Sequence, residues 1–130
     1  AGTFAGYAKM VFDGKTLLTI PNTKGSFALQ GIDITGIGSI TFMTASQEPI
    51  KSPIDFEIRL DSPTGEVVGR GTHAPSAGMK LPNMPILMHQ ANLSLTSAGD
   101  GKKHTLYFVS DAKGADLGTF IIMGITFNAK

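Results

Sequence analysis

The segment DFEIRLDSPTGEVVGRG, Asp55–Gly71, leaves few folds open. Asp55, Glu57, Arg59 and Asp61 alternate with Phe56, Ile58 and Leu60, which is the period of a strand with one dry face and one wet face. Ser62-Pro63-Thr64-Gly65 follows, and a second apolar run starts at Val67. Pro63 presets a turn and Gly65 is expected to take a positive φ, so the segment predicts a β-hairpin.

The same alternation of short run and turn recurs along the chain, and no helical period of useful length is present. Tyr7–Phe12 and Lys15–Ile20 flank Asp13-Gly14, a strong hairpin signal. Further strands are expected at Ser26–Leu29, Ile40–Ala45, Ala91–Thr96, His104–Ser110 and Thr119–Phe127. The last is almost wholly apolar, as a central strand would be. In GIDITGIGS, Asp33 is placed to accept from nearby backbone amides. Residues 72–88 carry Pro75, Pro82 and Pro85 and read as a long loop with room for one short strand. With 16 Gly and 7 Pro in 130 residues, the pattern predicts a single all-β domain over residues 1–130. The expected form is a β-sandwich jelly roll of two antiparallel sheets, about nine strands in all.

Composition removes several functions. Eleven basic and ten acidic residues are spread evenly, so no basic run is available for a nucleic-acid backbone. No apolar run reaches the ~20 residues of a membrane span. The absence of cysteine excludes disulfides, thiolate metal sites and cysteine nucleophiles. The opening AGTFAGYAK has no signal-peptide pattern and reads as the start of a mature or excised domain.

The reactive side chains form no catalytic set. Asp55 and Glu57, two positions apart on one face of a strand, lie ~6.8 Å apart, within reach of the ~6.5–9.5 Å of an inverting glycosidase pair, and Glu57 with Asp61 across Arg59 is the other pair to weigh. Arg59 sits among these acids and favours their ionised forms, whereas a general acid needs a raised pKa. The alternation is better explained as the wet side of a strand. His73, His89 and His104 lack the His-x-Asp/Glu pairing of a jelly-roll metal enzyme. They read as two loop histidines and a strand-start histidine. Met79, Met84, Met88 and His89 could hold Cu(I), yet their spacing fits no ligand rule, and methionines commonly fill core edges. No GxSxG is present, and Gly14-Lys15-Thr16 lacks the earlier glycine of a phosphate loop. No enzyme is indicated.

Four motifs occur in one order: IDITGIGSITF (Ile32–Phe42), FEIRLDSPTGEVVG (Phe56–Gly69), HQANLSL with GKKHTLYFV (His89–Val109), and GTFIIMGITFN (Gly118–Asn128). Together they resemble family 6 carbohydrate-binding modules over roughly residues 7–128, nearly the whole chain. The resemblance implies a jelly roll without catalysis, appended to a larger secreted carbohydrate-active enzyme and directing it to its substrate. It implies an extracellular or periplasmic location, a glycan ligand and neighbouring domains of a parent enzyme. Members of the family bind glycans in a loop-built cleft at one end of the sandwich or on a concave sheet face.

The departures fall where function sits. The family's Asn, Asp and Trp in an Asn-x-Asp-Trp segment, which helps to hold calcium, correspond to Ile121, Met123 and Gly124. A thioether does not bind calcium, so no cofactor is expected, the alternative being the structural calcium of the family with Met123 at its ligand position. Trp is absent, which leaves Tyr7 and Tyr107 as the amphipathic aromatics. The expected carbohydrate contacts are therefore Tyr107 and the loop polars Gln47, Glu48, His89, Gln90, Asp111, Lys113 and Asp116. The alternative is a structural or protein-interaction sandwich that has lost the sugar site.

Overall fold

A computed structural model describes residues 4–5, 7–12, 15–80, 82–83, 85–114 and 120–130. Eleven strands are present among them: β1 (Phe4–Ala5), β2 (Ala8–Phe12), β3 (Lys15–Thr19), β4 (Lys24–Ile32), β5 (Ile37–Ser46), β6 (Ile54–Leu60), β7 (Val67–His73), β8 (Met79–Lys80), β9 (Leu87–Leu95), β10 (His104–Asp111) and β11 (Phe120–Ala129). Two of these, β1 and β8, are two-residue pairings, and the other nine are the expected set. The Asp13-Gly14 turn lies outside the described residues.

All pairings are antiparallel, and the strand order is β1-β4-β10-β6-β7-β9-β5-β11-β3-β2, with β8 on β9. The path folds over between β7 and β9, giving one layer of β1-β4-β10-β6-β7 and another of β9-β5-β11-β3-β2. Only Gly69–Leu95, Arg70–Ser94 and Gly71–Leu93 pair across the fold. Glycine is needed there: a Cβ on Gly69 would lie 2.9 Å from the Ser94 carbonyl oxygen, and one on Gly71 would meet Leu93.

The core lies between the layers. Phe42 of β5 meets Phe27, Phe56 and Phe108 of the facing layer at ring-centroid distances of 6.1, 5.2 and 5.4 Å. All four rings are fully buried, and each contributes on the order of 2 kcal/mol through burial. Tyr7 joins them edge-on to Phe27, and its hydroxyl bonds Ser110 Oγ at 2.6 Å. It is thus a core residue and not a surface aromatic. Burial raises its pKa, partly opposed by that hydrogen bond.

The β6–β7 hairpin forms as expected, with Ile54, Phe56 and Ile58 buried and Asp55, Glu57 and Arg59 outward. Its turn works differently. The left-handed residue is Asp61, with φ 66°, and not Gly65. Gly65 is required for space, because a Cβ there would collide with the Leu60 carbonyl oxygen. Asp33 accepts from the Thr35 amide at 2.9 Å, as its turn position predicts.

Candidate functional site

One end of the sandwich gathers the described residues of its connections, 21–23, 47–53, 74–80 and 112–114. Strand register places Lys24, Asp111, Asp55 and Thr72 side by side at this end of one layer, and Ser46, Leu87 and Phe120 at the same end of the other. Beneath the loops lie His73 and His89, which are 1% and 4% exposed. Both were expected in a loop. They are instead the last residue of β7 and the third of β9, because each strand continues inward past the proline-rich segment.

Their hydrogen bonds fix the tautomers. Ser46 Oγ donates to the Glu48 carbonyl at 2.6 Å, so it must accept from His89 Nε2–H at 2.7 Å. His89 Nδ1 then accepts from Ser76 Oγ at 2.9 Å. His73 donates from Nδ1 to the Ala74 carbonyl at 3.2 Å and accepts from Thr44 Oγ1 at 2.9 Å. The two rings meet at 5.6 Å, and each also packs edge-on against Phe120. Burial lowers both imidazole pKa values, and for His73 the neighbouring His89 adds to the effect.

On the outer face of the β4-β10-β6-β7 layer, next to this end, is a groove of about 470 Å³. Two rows of side chains cross its floor. The first is Lys24–Asp111–Asp55–Thr72, and the second is Val109–Glu57–Arg70, which the buried Ser26 continues outside the groove. A third row, Ala28–Tyr107–Arg59–Val67, continues the face beyond the groove.

The polar groups are held in place. Thr72 Oγ1 donates to Asp55 at 3.0 Å, and Lys113 Nζ stands 3.7 Å from the other Asp55 oxygen. Glu57 accepts from Arg59 Nη2 at 2.9 Å and faces Arg70 Nε at 3.8 Å. Arg59 is fixed further by donating to the Gly65 carbonyl at 2.8 Å. Exposed carboxylates and a guanidinium with oriented lone pairs and N–H groups suit vicinal hydroxyls, which both donate and accept.

The expected contact residues fall in different places. Asp111 and Lys113 stand at the groove, where Asp111 also accepts from the Lys113 amide at 2.8 Å. Tyr107 is half-buried in the adjoining row. Gln47 and Glu48 are exposed in the loop after β5. His89 is buried under the loops with both ring nitrogens engaged, so it supports the surface from below. Gln90 is exposed on the outer face of the other layer, opposite Met43. Asp116 lies outside the described residues. Lys24, Asp55, Glu57, Arg70 and Thr72 were not among the expected contacts. The period-two charges of the hairpin were their signal, but which rows stand beside them depends on strand register.

Among the described residues, no group of three or more His, Asp or Glu side chains is placed to hold a metal ion. Met123, at the family's calcium position, sits 38% exposed on β11 and offers no oxygen ligand, so it does not fit calcium.

No family model and no curated protein matches the sequence. Solved structures do match in fold. A family 6 carbohydrate-binding module from Clostridium cellulolyticum, in complex with xylose, is 24% identical and superposes with a TM-score of 0.67 over 97% of this chain and 89% of its own. A module of the same family from Clostridium stercorarium, in complex with cellobiose, is 13% identical with a TM-score of 0.65, covering 96% of this chain and 83% of the other. A glycoside hydrolase family 43 arabinoxylan arabinofuranohydrolase from Bacillus subtilis, in complex with cellotetraose, is 18% identical with a TM-score of 0.64; 98% of this chain matches 24% of that one. The chain has the jelly-roll fold of family 6 carbohydrate-binding modules.

Proposed function

We propose that this protein is a non-catalytic glycan-binding module whose ligand lies in the groove on the β4-β10-β6-β7 face. The observation that carries the proposal is the groove floor, in which Asp55, Glu57, Arg70 and Thr72 are pre-oriented by strand register and by one another. Pre-orientation lowers the entropy lost when a flexible sugar is bound. The sugar complexes of proteins with this fold support the same reading. Asp55 and Glu57 direct oxygens at Thr72, Lys113, Arg59 and Arg70, an arrangement for holding a ligand and not for moving a proton.

The module works as an accessory domain, residues 1–130, that directs an attached carbohydrate-active enzyme to its polymer outside the cell or in the periplasm. Support comes from the match to a quarter of a longer glycoside hydrolase chain. Affinity electrophoresis against soluble xylan, cellulose derivatives and β-1,3-glucan tests the reading. Retardation by one of them is expected, weakened roughly tenfold or more in Arg70→Ala and Glu57→Gln, since each removes a charge-assisted hydrogen-bonding group. Retardation by none, or equal retardation of both variants and the parent, refutes it.

A further inference from the structure

The opposite outer face differs in chemistry and carries a second groove, of about 580 Å³. Its wall is lined by Met43, Met79, Met88, Gln90, Ser76 and Gly78, with His89 behind. No lining residue carries a carboxylate, the charged oxygen ligand that hard cations favour.

Strand register brings the three thioethers together. Met79 of β8 is directly opposite Met88 of β9. Met43 of β5 is opposite Gln90, two residues along from Met88 on the same face. Such positions put Cβ atoms about 4.5–5.5 Å apart in the direct pair and about 7–8 Å on the diagonal, within reach of flexible methionine side chains.

The segment carrying Met79 is tethered. Ser76 exchanges both backbone hydrogen bonds with Ile50, accepts from the Gly78 amide at 3.0 Å, and donates to His89. Gly78 has φ 76°, and a Cβ on it would stand 2.7 Å from the His89 ring, so only glycine lets the chain turn down onto β9. The result is that Met79 is held over Met88 while 70% exposed. Core-edge filling, the expected role of these methionines, requires a covered side chain. Met79 is not covered.

We propose that Met43, Met79 and Met88 form a thioether site for a soft monovalent cation, copper(I), for which silver(I) serves as a redox-inert probe. Soft sulfur donors prefer such ions over the harder divalent metals. His89 is not a ligand, because both of its nitrogens are already engaged. The site stands on the face away from the glycan groove and is independent of it.

The test is a silver(I) titration of the whole chain labelled at the methionine methyl groups and followed by NMR. The Met43, Met79 and Met88 methyls are expected to shift and saturate together, with Met10 on β2 unmoved. Thioethers carry no proton, so affinity should be the same at about pH 6 and about pH 8. Met88→Leu should weaken binding roughly tenfold or more, as loss of a ligand costs at least what loss of its supporting shell does. Should Met88→Leu unfold, Met79→Leu at the exposed position reads out the same loss. Met10→Leu should leave affinity unchanged. No saturating shift, equal shifts at every methionine, or unaltered affinity in Met79→Leu would overturn the proposal.

Discussion

Histidine behaves oppositely at the two ends of this sandwich. At the loop end, His73 and His89 are buried and neutral, and their nitrogens are matched to hydroxyls and carbonyls. At the far end, His104 bridges two carboxylates, with Nε2 2.9 Å from Asp100 and Nδ1 3.0 Å from Asp61. Hydrogen bonds to Asp100 and then to Asp61 raise its pKa, and His104 in turn lowers that of Asp100. One side-chain type therefore serves as a packed ring in one place and as a ring whose protonated form is favoured in the other. The choice is made by what faces it: Phe120 and hydroxyls in the first case, exposed aspartates in the second.

The largest expected effect comes from breaking the buried end. His73→Ala removes a ring packed against Phe120 at 5.1 Å and leaves the Thr44 hydroxyl without its partner. About 2–5 kcal/mol of stability should be lost in urea unfolding, from cavity and unsatisfied polar group together. A loss below about 1 kcal/mol would mean the ring is not a packing element.

Acid should produce the next effect, and its sign differs between the ends. His73 and His89 have lowered pKa values, so the unfolded chain takes up protons first as pH falls. Their contribution is complete above the unfolded imidazole value of ~6.5 and is lost as pH drops below it. Protection of the paired Ile50 and Ser76 amides against hydrogen exchange, taken relative to the intrinsic rate at each pH, should fall over that range. Constant protection there would separate the loops from the histidines. The smallest effect is expected at the far end. Stability from His104 is complete below ~6.5 and lost as pH rises through its raised folded value. The deficit of His104→Asn relative to the parent should therefore be largest in acid and fade toward alkaline pH. A deficit independent of pH would show that the ring acts there by shape alone.

Much of the fold was legible because local rules and burial agree along most strands. Phe56, Ile58 and Leu60 alternate against charge, and the structure buries the first two fully and the third in part. Strand ends were less legible. His73 and His89 carry polar rings at either side of the proline-bearing segment, and the facing Thr44, Ser46 and Ser76 make their burial tolerable. Those partners are 29, 43 and 13 residues distant in sequence. The groove was hidden for a related reason. Its rows join β4, β6, β7 and β10, and no period within one strand states which residue of another stands beside it.

The unbroken strand path has a further meaning at its two ends. Its terminal members are β1, paired on β4, and β2, paired on β3. Both belong to the first dozen residues, so one short stretch of chain flanks both layers, covering Ser26 and Phe27 of β4 and the length of β3. Clipping that stretch would uncover the edges of β4 and β3 at once, each ready to accept a strand from another molecule. Loss of its first dozen residues is therefore expected to raise the tendency of this sandwich to self-associate.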